Sequence, residues 1–188
     1  MDTVLVAGLG SAIALVGVMV LSVIGWRRIW PPGDDTRSWL FYWVLATTNT
    51  IAIAVLAVRA IGSVDIWLPV RVGGGLVLMT GLVLFIVAAL QLGAGRTSGR
   101  PGALRRSGLY ARTRNPQVLS NLIILAGLAV LIPVRELLVV IAVTAVWLVL
   151  MVRAEERWLL EVHGESYRRY MQAVPRFVGR RTFGMARD

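Results

Sequence analysis

The chain has 188 residues, 57% of them hydrophobic and only 16% charged, with a mean hydropathy of +0.72; soluble domains carry about a quarter charged residues, so the composition reads as an integral membrane protein. The formal charge is +10 and every basic residue is arginine, but the arginines fall between bilayer-length apolar runs, which fits topological anchoring and argues against nucleic-acid binding. Cysteine is absent and His163 is the one histidine, which excludes disulfides, thiol nucleophiles and iron–sulfur clusters and argues against a His-based metal site.

A helix crosses the hydrocarbon core with about 20 apolar residues, fewer inside a bundle. Residues 4–24, 39–58 and 72–95 carry no charge and are predicted as three spans. The first is preceded by Asp2 and exceeds a signal-peptide core in length, so it reads as a retained span. Residues 118–134 and 137–152 are shorter, separated by Arg135 and Glu136 after Pro133, and read as a helical hairpin with a tight turn. The expected fold is therefore all-α and integral to the membrane, with five transmembrane helices. It forms a single domain of three N-terminal spans (1–95) followed by loop, hairpin and tail (96–188).

Arginines fix the expected orientation. Arg27, Arg28 and Arg37 follow the first span, six more lie between the third and fourth, and Arg153 opens a basic tail; the other side holds Arg59, Arg71 and Arg135. The positive-inside bias places the N-terminus outside and the long loop and C-terminus in the cytoplasm, in what reads as a prokaryotic plasma membrane. In the tail, residues 154–163 continue the fifth span and Gly164 is a stop. Glu165–Ala173 follows as a short helix suited to lying on anionic lipid, with Tyr167, Tyr170 and Met171 on one side.

Several stretches are candidates for chemistry. The run GLGSAIA (8–14) echoes a dinucleotide fingerprint, but it lies inside a span, where its glycines, like Gly73–Gly75 and Gly81, serve helix packing. The polar patch Thr47–Thr50, with Asn49, reads as interhelical hydrogen bonding or as a polar pocket wall. Asn115-Pro116 has N-cap chemistry and starts the fourth span. It leaves a positive helix end facing the loop, where a carboxylate could bind near Arg112 and Arg114. Glu155 and Glu156 are costly to desolvate at a membrane boundary and either pair with Arg153 and Arg157 or serve a site. Adjacent helical residues point about 100° apart, so at most one of them faces the bundle.

Taken jointly, SGLYARTRNPQVLS (107–120), a hairpin, and EERWLLEVHGESYRRYMQAVPRF (155–177) resemble the isoprenylcysteine carboxyl methyltransferase and phospholipid N-methyltransferase superfamily. That superfamily shows G-P-Y-x-x-x-R-H-P-x-Y-x-G, then E-E-x-x-L, F-G-x-x-Y-x-x-Y and V-P-R. Here the pattern becomes Gly108, Tyr110, Arg114-Asn115-Pro116, Glu155-Glu156 with Leu159, Gly164 with Tyr167 and Tyr170, and Val174-Pro175-Arg176. Asn115, Val118 and Ser120 depart from the pattern's histidine, aromatic and glycine.

The resemblance implies S-adenosylmethionine bound between loop, hairpin and tail, and a lipophilic or membrane-delivered methyl acceptor. It implies Gln91, Leu104, Gly108, Tyr110, Arg114, Asn115, Pro116, Glu155 and Glu156 as cofactor-binding residues, with Arg114 and Glu155 as the catalytic pair. Methyl transfer needs a positioned acceptor and excluded water, and neither a metal nor a protein nucleophile. The acceptor head stays open among carboxylate, amine and thiol. Two other readings share these features: an NADPH-dependent sterol-reductase-like enzyme, and a scaffold whose basic face binds lipid.

Overall fold

The computed structural model describes residues 2–179 and is helical in all its regular elements; residues 180–188 of the expected core lie outside the described residues. The helices are α1 (Thr3–Ile24), α2 (Thr36–Ala60), α3 (Leu68–Leu92), the single turn α4 (Ala94–Thr97), α5 (Pro116–Leu131), α6 (Arg135–His163) and α7 (Glu165–Ala173). A 3-10 turn at Gly108–Ala111 interrupts the loop before α5.

Local chemistry sets the ends. The Asp2 carboxylate accepts from Val4 N at 2.9 Å to open α1, and Gly25, at φ 78°, closes it. Asp35 accepts from Arg37 N at 3.0 Å and starts α2 at Thr36, three residues before the expected bound, because capping extends the helix beyond its apolar run. Helices α1, α2, α3 and α6 are each long and apolar enough to cross a membrane. The fourth expected span falls short of the five-span count: α5 has 16 residues, cut off between Pro116 and Pro133, and rises about 24 Å against a core of about 30 Å. By contrast α6 runs 29 residues without a break and carries Glu155 and Glu156 beyond its apolar stretch.

The bundle is built from two groups. Helix α1 packs along α2 and α6, whereas α3 packs along α5. Glycine makes the second pairing possible. A Cβ on Gly127 of α5 would stand 2.6 Å from the Leu78 backbone nitrogen, and one on Gly81 of α3 would stand 2.8 Å from that of Ile124. The two backbones thus meet directly, as small residues allow in membranes. Of the Gly73–Gly75 run only Gly74 meets α5; Gly73 and Gly75 face open space. In the first group Asn49 is buried, donating to Gly8 O at 3.3 Å and accepting from Thr144 Oγ1 at 3.1 Å. That is the interhelical bonding expected of the polar patch.

The hairpin turn is short, but it falls at 132–134 and not at Arg135 and Glu136, which open α6; its arms diverge, α5 leaning on α3 and α6 on α1. At the loop end, Trp39 and Trp43 both donate to Ser98 O, at 3.1 and 3.2 Å, and tie the start of the loop to α2. Helix α7 turns its apolar side inward: Tyr167, Tyr170 and Val174 pack with Leu104, Leu159, Leu160 and Met171. Arg168 and Arg169 are exposed, so its apolar face is occupied by protein and not free for lipid.

Candidate functional site

A cavity of about 660 Å³ opens where loop, hairpin and tail converge. Its wall changes character along its length. Arg96, Arg105, Tyr110, Arg114, Glu155 and His163 contribute at the loop end, and Thr47, Thr50, Leu82, Phe85, Ile124 and Trp147 contribute between the helices. The Thr47–Thr50 patch therefore serves both readings: Asn49 bonds across helices, while Thr47 and Thr50 line the cavity.

The loop end is assembled by backbone contacts. Gly108 takes φ 67°, and a Cβ there would stand 2.5 Å from Gln91 Oε1; this close approach lets Leu109 N donate to that oxygen at 2.9 Å. Gln91 and Gly108 thus hold the 3-10 turn that presents Tyr110. The Tyr170 hydroxyl donates to Tyr110 O at 2.6 Å. Residues 113–115 are bound to the tail: Arg114 N donates to Pro175 O at 3.0 Å, and Thr113 Oγ1 and Asn115 Nδ2 donate to Arg176 O at 3.2 and 3.0 Å. Asn115 occupies the N-cap position of α5, but its side chain makes no cap bond, being taken by the tail instead.

The two glutamates separate as helical geometry requires. Glu156 is 5% exposed and absent from the cavity wall. Its Oε1 lies 3.1 Å from Arg114 Nη1, and its Oε2 accepts from Arg176 Nε and Nη2 at 2.9 and 2.6 Å. This carboxylate joins loop to tail. Glu155 lines the cavity and its Oε1 accepts from Trp30 Nε1 at 3.1 Å. The pairing expected of these glutamates with Arg153 and Arg157 does not occur: Arg153 is exposed and Arg157 turns to Val23 O and Glu161.

Of the sequence-expected residues, Leu104, Tyr110, Arg114, Asn115, Pro116 and Glu155 come together on the cavity wall. Gln91, Gly108 and Glu156 stand behind it as supports, and Arg112 faces outward. Sequence reasoning missed Trp30, Arg96, Arg105, Trp158 and His163, all of which line the cavity. His163 directly precedes Gly164, where the F-G-x-x-Y pattern has phenylalanine, and that mismatch was its signal. Trp30 comes from the α1–α2 connection, where no pattern marks it.

Burial pushes the Tyr110 and Tyr167 phenols above their usual range, and that of Tyr170 up to about 12. The hydrogen bond to Glu156 raises Arg176 in turn. Arg105 Nε and His163 Nε2 are buried with no hydrogen-bond partner among the described residues. A cavity bordered by arginine, histidine and tyrosine at one end and apolar helices at the other can hold a polar, partly anionic ligand next to an apolar one.

The model of a protein family described as phospholipid methyltransferase matches residues 70–166, just over half of the chain. No curated protein and no solved structure matches. The matched segment takes in α3, the loop, α5 and α6, and stops short of the 174–176 strap.

Proposed function

Since the chain belongs to the phospholipid methyltransferase family, a family of membrane methyltransferases, we propose that it transfers a methyl group from S-adenosylmethionine to a lipophilic acceptor reached from the bilayer. The observation that carries this reading is the cavity whose loop end is polar and basic and whose other end lies between apolar helices. The residues at the loop end fit the cofactor. Arg114 and the N-terminal end of α5 at Asn115-Pro116 favour its carboxylate. Arg105 and His163 carry buried nitrogens that lack partners, and a ligand with complementary polar atoms would relieve that penalty. Tyr110, Leu104 and Pro116 wall the site.

When bound, the cofactor supplies an electrophilic methyl carbon on a sulfonium. The chain contributes placement and a proton acceptor. Trp30 fixes Glu155 Oε1 and no hydrogen bond to Oε2 occurs among the described residues, so Oε2 is the atom that takes a proton from an acceptor head that must lose one. Arg114, fixed by Glu156 and by Pro175 O, orients the cofactor. The ends of α5 and α6 keep bulk water away from the reacting groups. The arginine distribution supports a cytoplasmic position for the loop and tail, with the N-terminus outside.

Isothermal titration of detergent-purified protein with S-adenosylhomocysteine and with NADPH tests this. Binding of the first alone is expected. Binding of NADPH alone would establish the reductase reading, and binding of neither the lipid scaffold. Incubating membranes with radiolabelled methyl donor then identifies the acceptor from the labelled product.

A further inference from the structure

Glu155 is a cavity-wall carboxylate with no ion-pair partner among the described residues. Arg96 and Arg105 border the same end of the cavity but form no ion pair with Glu155 among the described residues, Arg96 donating to Ala103 O; Arg114 and Arg176 are engaged by Glu156, and Arg157 by Val23 O at 2.7 Å and Glu161 at 3.6 Å. What surrounds Glu155 is aromatic. Trp30, 3% exposed, binds Oε1 and lies over Tyr42 with ring centroids 3.9 Å apart and planes inclined at 30°. Tyr42 meets Trp43 edge-on at 5.5 Å and Trp147 at 6.1 Å. Its hydroxyl is turned to Met151 Sδ at 3.2 Å, which leaves the ring as its contribution. All of these aromatic residues border the cavity.

A carboxylate in a water-poor site without a cation is costly. Aromatic faces carry negative charge density and attract cations within about 6 Å. The combination selects a positive charge that is wrapped in carbon and poor in hydrogen-bond donors. We propose that Glu155, Trp30 and Tyr42 form a cation subsite that takes an onium group, either a sulfonium or a methylated ammonium. The identity of the two sources rests on the methyltransferase reading, the first being the cofactor and the second the acceptor head. Trp30 and Tyr42 lie outside the matched segment 70–166, so the subsite is built by the junction of α1 and α2 with α6.

The test compares two charged and uncharged pairs on full-length protein in neutral detergent. One pair is S-adenosylmethionine against S-adenosylhomocysteine, and the other is decyltrimethylammonium against decanol. Wild-type protein should prefer the charged member of at least one pair. Glu155→Gln and Trp30→Leu should reduce that preference about tenfold, with the thermal midpoint reporting an intact fold. Where the leucine variant fails to fold, Trp30→Phe keeps a ring but releases Glu155, and a several-fold drop is expected. A drop in the first pair places the sulfonium in the subsite, and a drop in the second places the acceptor head there. A charged-member preference absent from wild type, or unchanged in both pairs in the variants, overturns the proposal. Should the protein bind neither adenosyl compound, the methyltransferase reading fails and the ammonium pair alone decides the subsite.

Discussion

Glu155 and Glu156 are neighbours in sequence with opposite employment, and substitution should separate them. Glu155→Gln removes a charge from the cavity wall and should weaken S-adenosylhomocysteine binding about tenfold or more, at an unchanged thermal midpoint. Glu156→Gln strands Arg114 and Arg176. It should destabilise the protein by about 3 kcal/mol, the low end for breaking a buried pair, since glutamine keeps one carbonyl acceptor. Unfolding and titration of both variants check this, and wild-type affinity together with wild-type stability in both would refute the assignment. That the two glutamates point apart was legible from the 100° step of a helix. That neither faces water was not, because Glu155 borders the cavity beside Trp30 and Glu156 is held by Arg176 arriving from 20 residues further on. Asn115 shows the same limit: local rules made it a cap, and its side chain instead satisfies Arg176 O.

The α3–α5 pairing can be tested through its glycines. Gly127→Ala drives a methyl group onto the Leu78 backbone, which cannot turn aside as a side chain could, and should destabilise by about 1–3 kcal/mol. Gly73→Ala, on the same pair of helices with open space around it, should be neutral or gain up to about 1 kcal/mol from helix propensity. Thermal unfolding in detergent would contradict the packing if the two behaved alike. The loop–α7 element has its own signature in alkali. Burial keeps the Tyr110, Tyr167 and Tyr170 phenols neutral above their ordinary range, Tyr170 to about 12. Their contribution to stability is thus complete below an unfolded value of about 10 and lost as pH rises through the folded values. With no lysine in the chain, tyrosinate absorbance should rise in that window, late and together with loss of tail structure. A reversible titration near pH 10 in the folded protein would contradict it. Helix existence was legible from uncharged runs, and the α7 amphipathicity from its spacing. The direction of its apolar face was not, because protein and lipid interface reward the same pattern.

At the scale of the molecule, the cavity follows from helix partnership. Since α3 gives its packing face to α5 while α2 gives its own to α1, the space between α2 and α3 is left to Thr47, Thr50, Leu82 and Phe85. Periodicity assigns each helix a face without naming its partner, so this opening had no sequence signal. In the proposed reading this opening faces the hydrocarbon region, and Arg96, Arg105 and Arg114, which border the loop end of the cavity, mark the end reached from water. An acceptor that enters between α2 and α3 leaves its tail among apolar side chains and brings its head to Glu155. Acceptors sharing one head group should then improve as their tails lengthen, by about 0.8 kcal/mol, or roughly fourfold, for each methylene that becomes buried. The gain belongs in KM and not in kcat, because the tail is held equally in the ground and transition states. It should level off once the tail exceeds the depth of the cavity and extra methylenes gain no further burial. A homologous series of acceptors dispersed as monomers in water, assayed at fixed bulk concentration below their micelle-forming range, measures both features. A KM indifferent to tail length, or a preferred acceptor that is small and freely water-soluble, would defeat lateral access and leave the loop-end cofactor site untouched.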